Sequence, residues 1–186
     1  MPTGGGGPGR QTLGEILDWH RGIVEALVAQ RGAVLRAARD DWAVPPRFVG
    51  MTGQDLDAYY DSQRRELDWL TILNLVASVE ATIRVDYFRR VEGKLKDPLA
   101  KAYRRWHKTL SHRKRRRPDF DEGGILDEVR GTQLVANPLI GRYRECLRTR
   151  HWVGHGRYWP RPVGVNSLDP VRVYDRCRAL LEAWPP

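Results

Sequence analysis

The chain has 186 residues, with 32 Lys plus Arg against 23 Asp plus Glu and a formal net charge of +9 at pH 7. This length suits one domain with its own hydrophobic core, without a disulfide or a metal, and 41% hydrophobic and 30% charged residues exclude collagen-like and wholly disordered classes. No apolar run approaches the roughly 18 residues of a membrane-spanning helix, and the Gly/Pro-rich residues 1–10 lack the apolar segment of a secretion signal. We therefore expect a cytoplasmic protein, with no membrane partner.

The positive charge is concentrated in residues 101–117, called here the basic segment. It contains nine basic residues and no acid, so the rest of the chain is balanced at 23 of each sign. Such a run is suited to binding a polyanion, because each cation that neutralises a phosphate releases a condensed counterion. The alternative is a solvated helix end that runs into a loop. The basic residues are Lys101, Arg104, Arg105, Lys108, Arg113, Lys114, Arg115, Arg116 and Arg117.

Apolar residues recur at steps of three and four in the first half of the chain, which predicts amphipathic helices. The first covers residues 12–40, and Pro45–Pro46 prevents its continuation. Thr52 followed three residues later by Asp55 resembles a capping signal, after which residues 56–91 form one long helix or two with a bend.

The sequence pattern in the second half of the chain predicts four more helices. One starts with Pro98 in its first turn, enters the basic segment and ends before Pro118. A short helix follows over residues 124–130 and a longer one over residues 138–153. Asp169–Pro170 begins a last helix that reaches Trp184. No stretch alternates with period two for long enough to predict a strand. The fold class is therefore all-α, an antiparallel helical bundle formed by one domain over residues 11–186 after a flexible N-terminus over residues 1–10.

The densest polar stretch of the chain is RTRHWVGHGRYW. On a helix, Arg150 and Gly154 share one face and His151 and His155 the adjacent one, so an arginine and two imidazoles converge near a helix end. Gly154 and Gly156 leave room for another backbone or a substrate to approach. Cys146 and Cys177, by contrast, fall in helical patterns, and we expect buried free thiols without a functional role.

Three interpretations compete for this cluster. A zinc site could use His151 and His155, but the glutamate of a zincin is missing and no third ligand is evident, so we predict no metal. The histidines could instead merely form hydrogen bonds at a helix terminus. The third interpretation is metal-free phosphoryl transfer, in which a histidine moves a proton near neutral pH and Arg150 neutralises charge on the phosphate. The residue types fit the third best.

The order of Arg150, a polar His151, three residues, His155 and Gly156 resembles the Arg-x4-6-His signature of the HEPN superfamily. Its members are compact α-helical domains, and many are metal-independent endoribonucleases whose composite active site forms across a homodimer. The string RHWVGHGRYW is similar to stand-alone bacterial HEPN proteins, and residues 78–87 are similar to the helix that faces the signature helix. The resemblance covers roughly residues 70 to 160.

Glu80 adds an observation that does not depend on the resemblance. It falls on the stripe of Leu73, Val76 and Ile83, where an apolar residue is expected, so its carboxylate needs a partner. Arg84, one turn later, could supply it locally, or Glu80 could reach across the bundle to orient Arg150 or a histidine.

The resemblance implies an endoribonuclease that serves as a toxin or in phage defence and needs no cofactor. The RNA 2′-hydroxyl would attack the adjacent phosphodiester, with His155 as general base or acid, Arg150 stabilising the transition state and His151 assisting. We expect a homodimer and a possible cognate antitoxin, but no control by tyrosine modification, because Arg157 stands where paired toxins carry the tyrosine. The residues expected to hold RNA are Lys108, Arg113, Lys114, Arg115, Arg116, Arg117, Arg148 and Arg157, with Trp152 or Trp159 stacking on a base.

Two other functions remain open at this point. A non-catalytic HEPN module that binds RNA, a nucleotide or a partner protein would share the fold and most of these residues. A structural helical adaptor would carry the basic segment as mere surface, and loss of RNA affinity with rising salt would argue against it.

Overall fold

A computed structural model of the chain describes residues 11–40, 42–157, 160 and 169–186. In these ranges the chain is all-α and contains no strand, as the periodicity predicts. The expectation of a flexible segment over residues 1–10 lies outside the described residues. The helices are α1 (Leu13–Arg39), α2 (Gly53–Glu92), α3 (Pro98–Thr109), α4 (His112–Arg116), α5 (Ile125–Thr132), α6 (Asn137–Gly154) and α7 (Pro170–Glu182).

The helix starts follow from local capping chemistry. Thr12 and Thr52 each form a reciprocal capping box with the acid three residues later, and the latter confirms the predicted signal at Thr52 and Asp55. Asp97 and Asp169 accept hydrogen bonds from backbone N–H groups in the first turns of α3 and α7, and each is followed by a proline whose missing N–H costs nothing there.

The long α2 is the centre of the bundle, with a length of about 60 Å at 1.5 Å per residue. It packs against α1, α3, α6 and α7. Its inward stripe is fully buried and meets apolar residues of α3, α5, α6 and α7 in one core. The hydroxyl of Tyr143 on α6 donates a buried hydrogen bond of 3.0 Å to the carbonyl of Val76 on α2, which fixes α6 against this stripe. The α2 residues of the stripe are Ile72, Leu75, Val76, Val79, Ile83 and Tyr87.

A second, smaller core lies at the end of the α1–α2 hairpin where the two helices are connected. Phe48 packs there with Val34, Leu56 and Tyr60. It belongs to a 3₁₀ turn over Pro46–Phe48, which the sequence pattern did not predict. This turn lies between the predicted break at Pro45–Pro46 and the start of α2. The hairpin therefore has packing of its own.

The predicted helix through the basic segment is wrong in one respect. The chain leaves α3 at Leu110, which is extended, and Ser111 then caps the separate short α4. The Ser111 side chain accepts from the N–H of Lys114, so a local polar bond competes with helix continuation. Residues 56–91 belong to one helix without a second start, and α7 ends at Glu182, before Trp184.

Both cysteines, Cys146 on α6 and Cys177 on α7, are free and buried, as predicted. Within the described ranges, no helix is both long and apolar enough to cross a bilayer.

Candidate functional site

A polar groove of about 640 Å³ lies between α2, α4 and α6 and is closed at one side by residues 117–121. Five cations line it, namely Arg84, Arg113, Lys114, Arg117 and Arg150, against the three carboxylates of Glu80, Asp119 and Asp121. The remaining lining residues are Ser111, Pro118, Phe120, Leu147 and His151. The structure thus brings part of the basic segment together with part of the Arg150–His155 cluster, although the two are separate in sequence.

Glu80 contacts both of the arginines that the sequence suggested as its partners, Arg84 and Arg150. One carboxylate oxygen accepts a hydrogen bond of 2.9 Å from Nε of Arg84, and the other lies 3.5 Å from the Arg150 guanidinium. Its side chain is 17% exposed and that of Arg150 is 34% exposed, so Arg150 keeps surface that a ligand can reach. Glu80 therefore ties Arg150 to α2 without removing it from the groove.

Arg84 has a second role that sequence reasoning did not predict. Its guanidinium donates a 2.8 Å hydrogen bond to the carbonyl of Pro118 and lies 5.1 Å from the centre of the Phe120 ring. These contacts hold Pro118 and Phe120 against α2. Nothing in the local sequence around Phe120 signals this contact, because its partner lies on a distant helix. Asp121, which lines the groove together with His151, is held by a 2.6 Å hydrogen bond from Arg144 on α6.

His151 is the histidine that lines the groove. Partial burial there, together with the positive charge of Arg150, lowers its pKa below the ordinary value of 6.5, while Glu80 and Asp121 act in the opposite direction. A larger fraction of this imidazole is therefore neutral near pH 7, which is the form that accepts a proton.

His155 lies one turn further on and is not part of the groove lining. Its ring centre is 6.4 Å from that of His151, at the exposed end of α6. The turn is shaped by Gly156, whose φ is +81°. The N–H groups of Gly156 and Arg157 bond back to the carbonyls of Val153 and Trp152, which is the Schellman arrangement of a helix end.

The two glycines were expected to leave room for another backbone or a substrate, and within the described chain the space beside them is open. No atom approaches within 4 Å of the position that a Cβ would take at Gly154 or Gly156. Gly156 also supplies the positive φ that the helix end requires.

Two other arginines of the cluster lie away from the groove lining. Arg157 forms a two-pronged ion pair with Glu66 on α2, at 2.7 and 2.8 Å, and so anchors the end of α6. Arg148 is exposed on α6, on the same helix face as His151 and His155. The predicted RNA-binding role of Arg157 thus competes with an ion pair within the chain.

The basic segment divides into residues that face the groove and residues engaged elsewhere. Lys114 pairs with Asp119 at 2.7 Å, and Arg115 donates to the carbonyls of His107 and Lys108 at the end of α3. Lys108 and Arg116 are exposed but do not line the groove. Arg113, in α4, and Arg117, directly after it, both line the groove, as does the paired Lys114.

The tryptophan predicted to stack on a base is buried. Trp152 is 8% exposed and packs edge-on against Trp69 of α2 with ring centres 5.4 Å apart, so its face is not offered to a nucleotide. Trp159, and Tyr158 beside it, lie outside the described residues.

Among the residues that the structure describes, no three His, Cys, Asp or Glu side chains are grouped so that they could hold a metal ion. Comparison of the chain with protein-family models, with curated proteins and with solved structures finds no match.

Proposed function

We propose that this protein is an HEPN-like endoribonuclease that cleaves RNA without a metal ion, and that the groove between α2, α4 and α6 receives the RNA strand. The observation that carries the proposal is the meeting of Arg150 and His151 with Arg113 and Arg117 in one groove. A guanidinium beside an imidazole of lowered pKa suits a phosphodiester, because the reaction needs a proton acceptor and stabilisation of a developing negative charge.

In the proposed reaction, neutral His151 removes the proton of the RNA 2′-hydroxyl as the oxygen attacks the adjacent phosphorus. The bond to the 5′-oxygen breaks, and that oxygen takes a proton from His155, leaving a 2′,3′-cyclic phosphate and a 5′-hydroxyl. The 6.4 Å between the two ring centres lets both imidazoles reach one phosphate group. Arg150, held by Glu80, stabilises the charge on the non-bridging oxygens.

The test measures cleavage of a fluorescent RNA and identifies the end groups of the products. Arg150→Ala, His151→Ala and His155→Ala should each reduce the rate by roughly a hundredfold or more with the fold intact, and EDTA should change little. His112→Ala is the matched control, since His112 is an exposed histidine on α4 outside the groove lining. Unimpaired Arg150 and histidine variants, or an EDTA-sensitive wild type, would contradict the proposal.

A non-catalytic module that binds RNA in the same groove is the second candidate, and the same charged lining favours it. It differs in leaving the RNA intact. A helical adaptor without RNA affinity is contradicted if binding is measured and weakens with rising salt.

We also propose that the protein acts as a homodimer, as a toxin or defence effector with a possible cognate antitoxin. His155 and Arg148 lie on an exposed face of α6 that a second copy would cover. Trp152 would add little aromatic surface to that interface, because its side chain is already buried within the chain. Full activity of a species that light scattering identifies as a monomer would contradict the dimer, whereas restored cleavage on mixing His155 and Glu80 variants would support a site built from two chains.

A further inference from the structure

Of the five consecutive basic residues at positions 113–117, two stand apart by their surroundings. Arg113 and Arg117 line the groove, and within the part of the chain that the structure describes no carboxylate lies within ion-pair distance of either. Lys114 between them is neutralised by Asp119, and Arg115 is held by carbonyls at the end of α3.

We infer that Arg113 and Arg117 form a phosphate subsite for the RNA strand, adjacent to the reacting phosphate at Arg150 and His151. This inference rests on the proposed function and deepens it, since it assigns the second phosphate contact of the same groove. Arg113 lies in α4, and Arg117 directly follows the last residue of that helix. The N–H of Arg117 donates a 3.3 Å hydrogen bond to the Arg113 carbonyl, so the two residues lie close together beside the groove that both line.

Arg84 connects the subsite to the reacting group. Arg84 bonds to the Pro118 carbonyl directly after Arg117 and to Glu80, which in turn contacts Arg150. One chain of contacts therefore links the subsite to Arg150. A strand held at both points would present its 2′-hydroxyl at a fixed distance from His151, which is the advantage of orienting a reactant before the reaction.

The binding assay uses a short single-stranded RNA whose riboses are all 2′-O-methylated, so that it is bound but not cleaved. The affinity is measured by fluorescence anisotropy over a range of salt concentrations. Replacing both Arg113 and Arg117 by Gln should lower the slope of log affinity against log salt by about 1.4, since each contact with a single strand contributes about 0.7. Arg113→Lys with Arg117→Lys keeps the charges and should restore most of the slope.

The matched control replaces Arg64 and Arg65 by Gln, which removes the same charge from an exposed part of α2 outside the groove lining. It should leave the slope unchanged, and Arg117→Gln should cost more affinity than Arg116→Gln. An unchanged slope in the Arg113/Arg117 variant, an equal loss in the control, or a wild type without salt-dependent binding would each overturn the subsite. Because the probe cannot be cleaved, normal binding with no cleavage of ordinary RNA would contradict the nuclease and leave the subsite standing.

Discussion

The carboxylate of Glu80 on α2 lies 3.5 Å from the guanidinium of Arg150 on α6 and also accepts a 2.9 Å hydrogen bond from Arg84. Two cations thus share one partly buried acid. This arrangement satisfies the charge of Glu80 beside the core stripe and at the same time orients the arginine that faces the groove.

Glu80→Gln tests whether that orientation matters for cleavage. The variant keeps the shape and a hydrogen-bond acceptor for Arg84 but loses the charge that attracts Arg150, so we expect kcat to fall by about 10- to 100-fold with little change in KM. Glu145→Gln is the control, because Glu145 on α6 pairs with Arg176 away from the groove. A purely structural role for Glu80 would instead lower the thermal stability and leave kcat unchanged.

The lowered pKa of His151 predicts the acid side of the pH profile. A general base works in its neutral form, so the rate should be lost as pH falls through the pKa of His151 in the folded protein, below 6.5 rather than at it. Because the negative charge of Asp121 raises this pKa, Asp121→Asn should lower it further.

Histidine NMR titration checks this pKa directly, without depending on activity. Asp119→Asn is the matched control, since Asp119 lies on the same loop and is paired with Lys114 as Asp121 is paired with Arg144, but it is not among the charges that shift the pKa of His151. A His151 that titrates above 6.5, or that responds equally to both substitutions, would contradict the assignment.

Gly156 and Gly154 offer a paired test of the end of α6. Gly156→Ala places a side chain at a φ of +81° and should cost about 1 kcal/mol of unfolding free energy or more. Gly154→Ala, in the last turn of α6 with open space around it, should instead stabilise the protein by about 0.5–1 kcal/mol. Urea unfolding measures both, and equal effects of the same sign would contradict the helix end described above.

Arg90 is the largest fully buried side chain among the described residues, and it lies away from the groove. It is 0% exposed and pairs with Asp86 at 2.7 Å and Asp97 at 2.6 Å. It also donates to the carbonyl of Pro185, which ties the end of the described chain to α2.

Arg90→Ala would remove the buried cation that Asp86 and Asp97 share, together with its bonds to the Pro185 and Pro186 carbonyls, and should cost about 3–5 kcal/mol of unfolding free energy. Arg89→Ala is the control, because Arg89 contacts the same Asp86 at 2.8 Å but its side chain is 59% exposed. Its loss should cost at most about 1 kcal/mol, since an exposed ion pair is weakened by solvent. Similar unfolding free energies for the two variants would contradict the structural role of Arg90.

The sequence alone determined the helices and most of their starts. Thr12, Thr52, Asp97 and Asp169 cap their helices through bonds to residues three further on, and such bonds depend only on local sequence. The same locality explains why α6, predicted to end at residue 153, ends at Gly154.

The tertiary structure alone decided which of the polar residues meet. Helical periodicity places Arg157 and Trp152 near the end of α6, but their partners, Glu66 and Trp69, lie on α2 and are reached only when the helices pack. The division of the basic segment likewise depends on Asp119 and on the exposed carbonyls of α3. A run of like charges specifies its total charge, whereas the direction of each side chain is set by the surface against which its helix folds.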